Sequence, residues 1–278
     1  FSSGPKNAIV AGQCDTPADL WRKLREAKAR AITGAHHHSV GFFPVDWSYW
    51  DPEFDRFVEV YSCWGNSEFY GAPHPGWASD RHRGLSTQDA LARGYRLGLL
   101  ASSDGHDGNP GNAQWSNRQP HIHHHLGSGY VAVLAPELTR KAAFDALYAR
   151  RLYATTGVRI ALDFRVNGLL MGSEALVSSS EWESGARKIH ARVVGTTNIT
   201  RVSLIRNNAE ICVLEGRGPT FELEYEDRES AAAIETRFLR ENGFLQSPMP
   251  RPTLYYYLRV VQEDGEMAWS SPVWVSPR

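Results

Sequence analysis

The sequence predicts an α/β fold in its first part, followed by an all-β part. Up to about residue 157, helical patterns alternate with short apolar runs, which is typical of a sheet covered by helices. After Gly157 the hydrophobic period changes to the two-residue alternation of β-strands. The composition, with 42% hydrophobic and 22% charged residues, is that of a globular chain with a substantial core.

Three helix starts in the first part are predicted from their capping residues. Thr16, followed by Pro17, begins the first helix, Ser86 begins the second, and Thr139 begins a third that runs to about residue 150. Their hydroxyl oxygens accept hydrogen bonds from the free N–H groups of a first helical turn. Helices between strands favour a mostly parallel sheet or a barrel, although the visible strands, about five, are fewer than a complete barrel has. These strands are predicted at 31–35, 57–61, 99–101, 130–134 and 152–155.

The second part contains short alternating segments separated by turn signals such as Asn167–Gly168. This pattern predicts a β-sandwich, interrupted by one helix at about 229–241. The sequence therefore predicts two domains, residues 1–157 and 158–278. The strands of the second are predicted at 160–166, 188–194, 201–205, 211–214, 221–223, 255–262 and 269–275.

The charge and cysteine content exclude several classes of protein. A net charge of −1 and a pI near 6.9 provide no basic field for nucleic acid or an anionic membrane surface. No apolar run approaches the roughly 20 residues that span a bilayer, so we expect a soluble protein. The three cysteines have neither disulfide nor zinc-knuckle spacing, which leaves the compartment open, and the oligomeric state is open too.

An Asp-x-His pair follows the apolar run 99–101, and it predicts a metal site. Asp104 and His106 lie just beyond a strand end, where a carboxylate oxygen and an imidazole nitrogen can face one cavity. Ten of the eleven histidines precede residue 126, so imidazoles are concentrated in the predicted α/β part. The alternative is a simple turn in which Asp104 caps backbone amides.

A second group of candidate ligands follows another strand end. His36 comes first after the strand 31–35 and is the better ligand, whereas His37 would support a ligand or bind another metal. Glu59 lies within a predicted buried strand, where a carboxylate needs a partner. It is a ligand, or it orients a ligand histidine through a hydrogen bond, or it has a purely structural role.

Two further features have competing interpretations. The cluster 121–125 contains His123, which could protonate a leaving group, although a solvent-exposed loop explains the cluster as well. Tryptophans in the predicted sandwich (Trp182, Trp269 and Trp274) could bind carbohydrate or a partner, but at strand spacing tryptophans are more often core residues. The sequence has no GxSxG, GxxxxGK[ST] or HExxH motif, and no GxGxxG after a strand, which excludes the enzyme classes that these motifs define.

The candidate ligands and the segments around them resemble the PHP (polymerase and histidinol phosphatase) superfamily of metal-dependent hydrolases, and within it the carbaryl-hydrolase-like branch. The resemblance implies a distorted (β/α)7 barrel with two or three metal ions (Zn, Mn or Fe) at its C-terminal face. It implies ligands at Asp104, His106 and one of His36 or His37, and hydrolysis of small-molecule phosphoesters by a metal-activated water. The matching segments are 34–37, 57–68, 101–111, 153–157, 167–172 and 255–275.

The chain departs from this family in one respect. The family's first strand carries a His-x-His motif, and no such segment precedes His36. We therefore expect a partial barrel that lacks its N-terminal half, and we expect the isolated chain to bind metal poorly. Two alternatives remain: a carboxyl or carbamate ester hydrolase of the same fold, and an inactive truncated homologue whose β-sandwich acts as a binding module.

Overall fold

The computed structural model describes residues 14–39, 44–73, 82–105, 111, 128–243 and 252–278. Within this part of the chain, 38% of the residues are in strands and 19% in helices. The helices are α1 (Pro17–Glu26), α2 (Thr87–Ala92), α3 (Arg140–Tyr148), α4 (Ser179–Ser184) and α5 (Ala231–Asn242). The strands are β1 (Thr33–Ala35), β2 (Asp55–Ser62), β3 (Gly65–Asn66), β4 (Gly98–Ala101), β5 (Tyr130–Val133), β6 (Leu152–Thr155), β7 (Ala161–Val166), β8 (Leu169–Leu170), β9 (Glu174–Val177), β10 (Arg187–Val194), β11 (Ile199–Arg206), β12 (Ala209–Leu214), β13 (Thr220–Asp227), β14 (Leu254–Gln262), β15 (Met267–Ser270) and β16 (Val273–Pro277).

The three predicted helix starts are confirmed. Thr16 and Ser86 each form a capping box, in which the hydroxyl oxygen accepts from the backbone N–H three residues on and that residue's carboxylate accepts from the cap. Thr139 caps α3 by accepting a hydrogen bond from the backbone N–H of Ala142. Capping succeeds as a prediction because donor and acceptor are three residues apart in sequence.

The first sheet is small and mostly parallel. β1 and β4 each pair in parallel with β2, and β3 forms an antiparallel hairpin with the end of β2. Because β1, β2 and β4 run in the same direction, their C-terminal ends lie at the same edge of the sheet. This edge positions the candidate site.

The predicted PHP-type β/α barrel is wrong. The described residues form open sheets with few helices, and the strands that follow β4 do not continue the parallel arrangement. β5 and β6 pair antiparallel with each other, and β6 pairs antiparallel with β15. Apolar runs such as 130–133 predict a strand but not its partner or its direction, and the direction decides between barrel and open sheet.

Two other sheets contain the remaining strands. The eight-stranded sheet has the order β12-β11-β14-β15-β6-β5, with β16 pairing to β14 and β9 to β16. The four-stranded sheet has the order β13-β10-β7-β8 and is antiparallel. The large sheet thus contains strands from both sides of the boundary predicted at residue 157, and the division into two domains stays a prediction.

β14 is buried on both faces, and it separates two hydrophobic cores. Leu254, Tyr256 and Leu258 pack into the core shared with β7, β10 and β13. Tyr255 and Tyr257 point to the opposite core, shared with β2, β4 and α2. The large sheet is therefore the middle layer of the structure, since alternate residues of a strand project from opposite faces.

The tryptophans considered for carbohydrate binding belong to these cores. Trp269 and Trp274 are buried in the core that faces β2 and β4, and Trp182 packs against the other core. Their burial favours the structural interpretation. Within the described residues, none of the helices has the length and apolar character that crossing a membrane requires.

A buried carboxylate joins the first sheet to the large sheet. Glu68, two residues after β3, is fully buried and accepts hydrogen bonds from three donors of the large sheet. Tyr257 Oη lies 2.7 Å and Trp269 Nε1 2.7 Å from its oxygens, and Arg259 Nη1 lies 3.1 Å from both. Because a buried charge is costly unless it is paired, this network holds the two sheets in one relative position.

Candidate functional site

Three of the predicted site residues meet at the C-terminal edge of the first sheet. His36 directly follows β1, Glu59 lies in β2, and Asp104 lies in the loop after β4. The parallel pairing of these strands brings together side chains that are 23 to 68 residues apart in sequence, because each chain segment leaves the sheet at the same edge. Polar residues in such loops are a common basis for binding sites in α/β proteins.

Glu59 lies behind the imidazole of His36. Its Oε1 is 2.8 Å from His36 Nδ1 and also accepts from the backbone N–H of His37 at 3.4 Å. Its Oε2 accepts from the Ser102 hydroxyl. The Glu59 side chain is 5% exposed, whereas that of His36 is 41% exposed, so the carboxylate is the inner and the imidazole the outer member of the pair.

Asp104 lies on the other side of the same imidazole. Its Oδ1 is 3.3 Å from His36 Nε2, and its Oδ2 accepts from Trp64 Nε1. The backbone of Asp104 has a φ of 48°, in the left-handed region that only a few non-glycine residues adopt. Strain of this kind recurs at functional sites, where the surrounding contacts hold the residue in place.

The carboxylates of Glu59 and Asp104 place negative charge on both sides of the His36 imidazole, which favours a cation there. Burial lowers the pKa of His36, but the hydrogen bonds to Asp104 and Glu59 and their charges raise it more, to about 10. The imidazole therefore holds a proton between two carboxylates at neutral pH when no other cation is bound. A metal ion at Nε2 competes with that proton, since a histidine ligand must be deprotonated.

The two histidines that follow have different surroundings. The His37 ring lies against that of His36, with centroids 3.9 Å apart, and 5.8 Å from the ring of Trp64. Burial, followed by the charge of His36, lowers the pKa of His37. His38 is fully buried, with Nε2 3.3 Å from the Thr87 hydroxyl, so it belongs to the interior beneath the site.

The donors fit a divalent metal ion as part of a ligand set. Two ligand atoms that are each about 2.1 Å from one ion lie about 3.0–3.4 Å apart, and the 3.3 Å between His36 Nε2 and Asp104 Oδ1 falls in this range. In many metal sites, a carboxylate accepts a hydrogen bond from the second ring nitrogen of a metal-binding histidine and orients its ring. Glu59 is in this position at His36 Nδ1. Among the described residues, no three His, Cys, Asp or Glu side chains are grouped to hold a metal. The predicted ligand His106 and the predicted general acid His123 lie outside the described residues.

The sequence did not indicate the residues that fix the two carboxylates. Ser102 directly follows β4 and holds Glu59, and Trp64 follows β2 and holds Asp104. Cys63 is buried, and burial together with the charges of Asp104 and Glu59 raises the pKa of its thiol. A protonated thiol is a poor nucleophile, so Cys63 is not a candidate nucleophile.

Part of the chain matches a family model, and longer proteins resemble it. Residues 78–188 match a family described as "Protein of unknown function (DUF3604)". An uncharacterized protein of Chlamydia trachomatis serovar D is 34% identical over 238 residues, which are 84% of this chain and 36% of that protein. An uncharacterized protein of Chlamydia pneumoniae is 33% identical over 229 residues, 81% of this chain and 35% of that protein. The chain thus spans about a third of the length of these relatives. No solved structure shows a detectable match.

Proposed function

We propose that this chain contributes a metal site to a hydrolase that cleaves ester bonds of small molecules, with phosphoesters as the first candidate substrates. The observation that carries the proposal is His36, which lies between Glu59 at Nδ1 and Asp104 at Nε2. In such a metal site, one carboxylate orients the histidine through one ring nitrogen, and a second carboxylate binds the ion beside the other nitrogen. Glu59 and Asp104 are placed for these two roles.

In this proposal, each described residue has a separate task. His36 Nε2 and Asp104 bind the ion, together with His106 and, at a second position, His37. Glu59 is a positioning residue, because it contacts His36 through Nδ1 and is shielded from solvent behind it. Ser102 and Trp64 hold the carboxylates of Glu59 and Asp104 in place. A bound divalent ion (Zn, Mn or Fe) supplies a water of lowered pKa and neutralises charge on the substrate oxygen.

The orientation of His36 follows from its hydrogen bonds. Glu59 accepts the proton of Nδ1, so a metal ion that displaces the Nε2 proton would meet a lone pair directed to the side on which Asp104 lies. The exposed imidazole and the less exposed Asp104 form the part of the site that a substrate can reach. Protonation of the leaving group by His123 stays a prediction.

Hydrolysis assays with a matched pair of histidine variants test this function. The purified chain, and the longer protein that corresponds to its relatives, are assayed with Zn²⁺, Mn²⁺ and Fe²⁺ on p-nitrophenyl phosphate, p-nitrophenyl acetate and a p-nitrophenyl carbamate. The change is His36→Gln, and the control is His190→Gln, because His190 also contacts a glutamate, at 2.7 Å, but on β10 of the four-stranded sheet.

We expect metal-dependent hydrolysis that His36→Gln reduces at least 100-fold and His190→Gln leaves within twofold, since losing a ligand removes the bound ion. Preference for the acetate or the carbamate over the phosphate supports the alternative substrate class. Absence of hydrolysis in both proteins with all three metals, or equal activity of the two variants, contradicts the proposal.

A further inference from the structure

A cavity of about 870 Å³ lies beside β1. Its walls come from the start of α1, from β1, from the segment 45–50 and from two residues of β2. The volume is within the range of about 300–1,000 Å³ that is typical of small-molecule sites. The cavity is separate from the carboxylates that contact His36, and neither they nor His36 line it.

Aromatic side chains dominate the cavity wall. Among the described residues, three tryptophans line it, together with Tyr49 and Phe57. Trp21 and Trp47 line the cavity although each is only 6% exposed to solvent. Rings of this kind bind planar apolar groups, and their faces also attract cations, tryptophan most strongly. The three tryptophans are Trp21, Trp47 and Trp50.

The charged groups of the wall all have the same sign. Asp15, Asp46 and Asp55 line the cavity, and among the described residues its lining contains no lysine, arginine or histidine. Two arginines outside the lining interact with acidic residues near it. Arg93 interacts electrostatically with Asp46. Arg25 pairs with Asp51, whose backbone N–H donates a hydrogen bond to Asp55. The lining itself therefore combines negatively charged and aromatic side chains.

The wall is held in one arrangement by contacts behind it. Trp21 Nε1 donates to Thr33 Oγ1 at 3.1 Å, and the Thr33 hydroxyl donates to Asp55. Trp50 stacks on Tyr95 with ring centroids 4.6 Å apart and an interplanar angle of 11°. Side chains that are already held in place lose less conformational entropy when a ligand binds.

From these observations we propose that the cavity binds a small organic ammonium ion that carries an apolar or aromatic group. The apolar group packs against the tryptophans, and the ammonium lies among the aromatic faces and the three carboxylates. Aromatic rings combined with carboxylates are the chemistry that recognises such cations in proteins. The inference is independent of the metal site, so either proposal can fail without the other.

The test compares three probes of similar size and different charge: benzyltrimethylammonium, benzyl alcohol and benzenesulfonate. Each is titrated into the chain at pH 7.5, and binding is followed by the ¹H–¹⁵N NMR signals of the tryptophan indoles. We expect benzyltrimethylammonium to bind at least 10-fold more tightly than the other two. Its shifts should be largest at Trp21, Trp47 and Trp50, and small at Trp269, which is buried against Glu68.

Variants that remove the charge of single carboxylates show whether these groups cause the preference for the ammonium probe. Asp55→Asn should weaken benzyltrimethylammonium about 10-fold and change benzyl alcohol less than twofold, and Asp46→Asn is a second variant in case the first is unstable. Asp163→Asn is the control, because Asp163 pairs with Arg165 on β7 and does not line the cavity. Equal affinity for the three probes, binding without shifts of the three indoles, or no binding at 10 mM overturns the proposal.

Discussion

Replacing Glu68 tests whether its buried network joins the first sheet to the large sheet. The change Glu68→Gln keeps the shape of the side chain and removes the charge. One carboxylate oxygen becomes an NH2 group, which cannot accept a hydrogen bond. If this group takes the place of Oε2, it faces Trp269 Nε1 and Arg259 Nη1, two donors that now contact Oε2 at 2.7 Å and 3.1 Å.

The expected loss of stability follows from these contacts. Leaving a buried donor without an acceptor costs about 1–3 kcal/mol, and removing one partner of a buried ion pair costs about 3–5 kcal/mol. Arg259 keeps Glu210 as a second carboxylate partner, and Arg259 Nη1 keeps the other oxygen of residue 68, which lowers the cost. We therefore expect Glu68→Gln to reduce the free energy of unfolding by about 3 kcal/mol.

Urea unfolding followed by far-UV circular dichroism measures this loss without using Trp269 as the probe. The control is Glu222→Gln, since Glu222 and Arg192 are 3.7 Å apart with side chains 72% and 65% exposed, and a surface pair contributes about 0–1 kcal/mol. In the double variant Glu68→Gln/Arg259→Gln, the loss should be smaller than the sum of the single losses. A Glu68→Gln loss no larger than that of Glu222→Gln refutes the reasoning.

Three further predictions concern the first sheet. Burial is the main cause that raises the pKa of Asp55, to about 6, so the folded state holds a proton that the unfolded chain releases near pH 4. As the pH rises from 4 to 6, urea unfolding should show wild type losing stability relative to Asp55→Asn, which lacks this titration. Gly34→Ala places a Cβ 2.2 Å from the Phe57 ring and 2.6 Å from its carbonyl oxygen, so the melting temperature should drop by several degrees. Glu59→Gln should weaken Zn²⁺ binding about 10-fold to 100-fold in calorimetric titrations, because the charge that orients His36 is lost.

Each of these predictions has a result that contradicts it. Parallel pH profiles for wild type and Asp55→Asn would mean that Asp55 titrates as it does in the unfolded chain. An unchanged melting temperature for Gly34→Ala would mean that Phe57 moves aside without cost. Gly218→Ala is the control, because an added Cβ there contacts nothing within 4 Å. For Glu59→Gln, unaltered zinc affinity would remove the positioning role.

The parts of the fold that depend on local sequence were predictable. The hydroxyl caps at Thr16, Ser86 and Thr139 act within one turn, and the helix near 229–241 is confirmed as α5. The strand predicted at 269–275 is interrupted, because Pro272 has no N–H to donate to a sheet and the chain forms β15 and β16 instead. Pairing direction is a property of distant residues, and the predicted barrel failed on it.

The candidate site was partly predictable for a related reason. A polar residue directly after an apolar run marks a strand end, and parallel strands place such ends together, which led to His36 and Asp104. The third member, Glu59, was recognisable as a carboxylate between β-branched residues, and its contact with His36 agrees with the orienting role that was one of the alternatives. The Glu68 network was not predictable, because its partners on β14 and β15 are separated from it by 189 to 201 residues.

The affinity for Zn²⁺ is the measurement that tests the metal site most directly. Calorimetric titration of the chain, purified without chelators, is compared for wild type, Asp104→Asn and the control Asp163→Asn. We predict weak but measurable binding to wild type, at least 10-fold weaker binding to Asp104→Asn, and an unchanged affinity for Asp163→Asn, since Asp104 lies beside His36 Nε2 and Asp163 pairs with Arg165. Absence of zinc binding to wild type, or equal affinities of wild type and Asp104→Asn, would contradict the assignment.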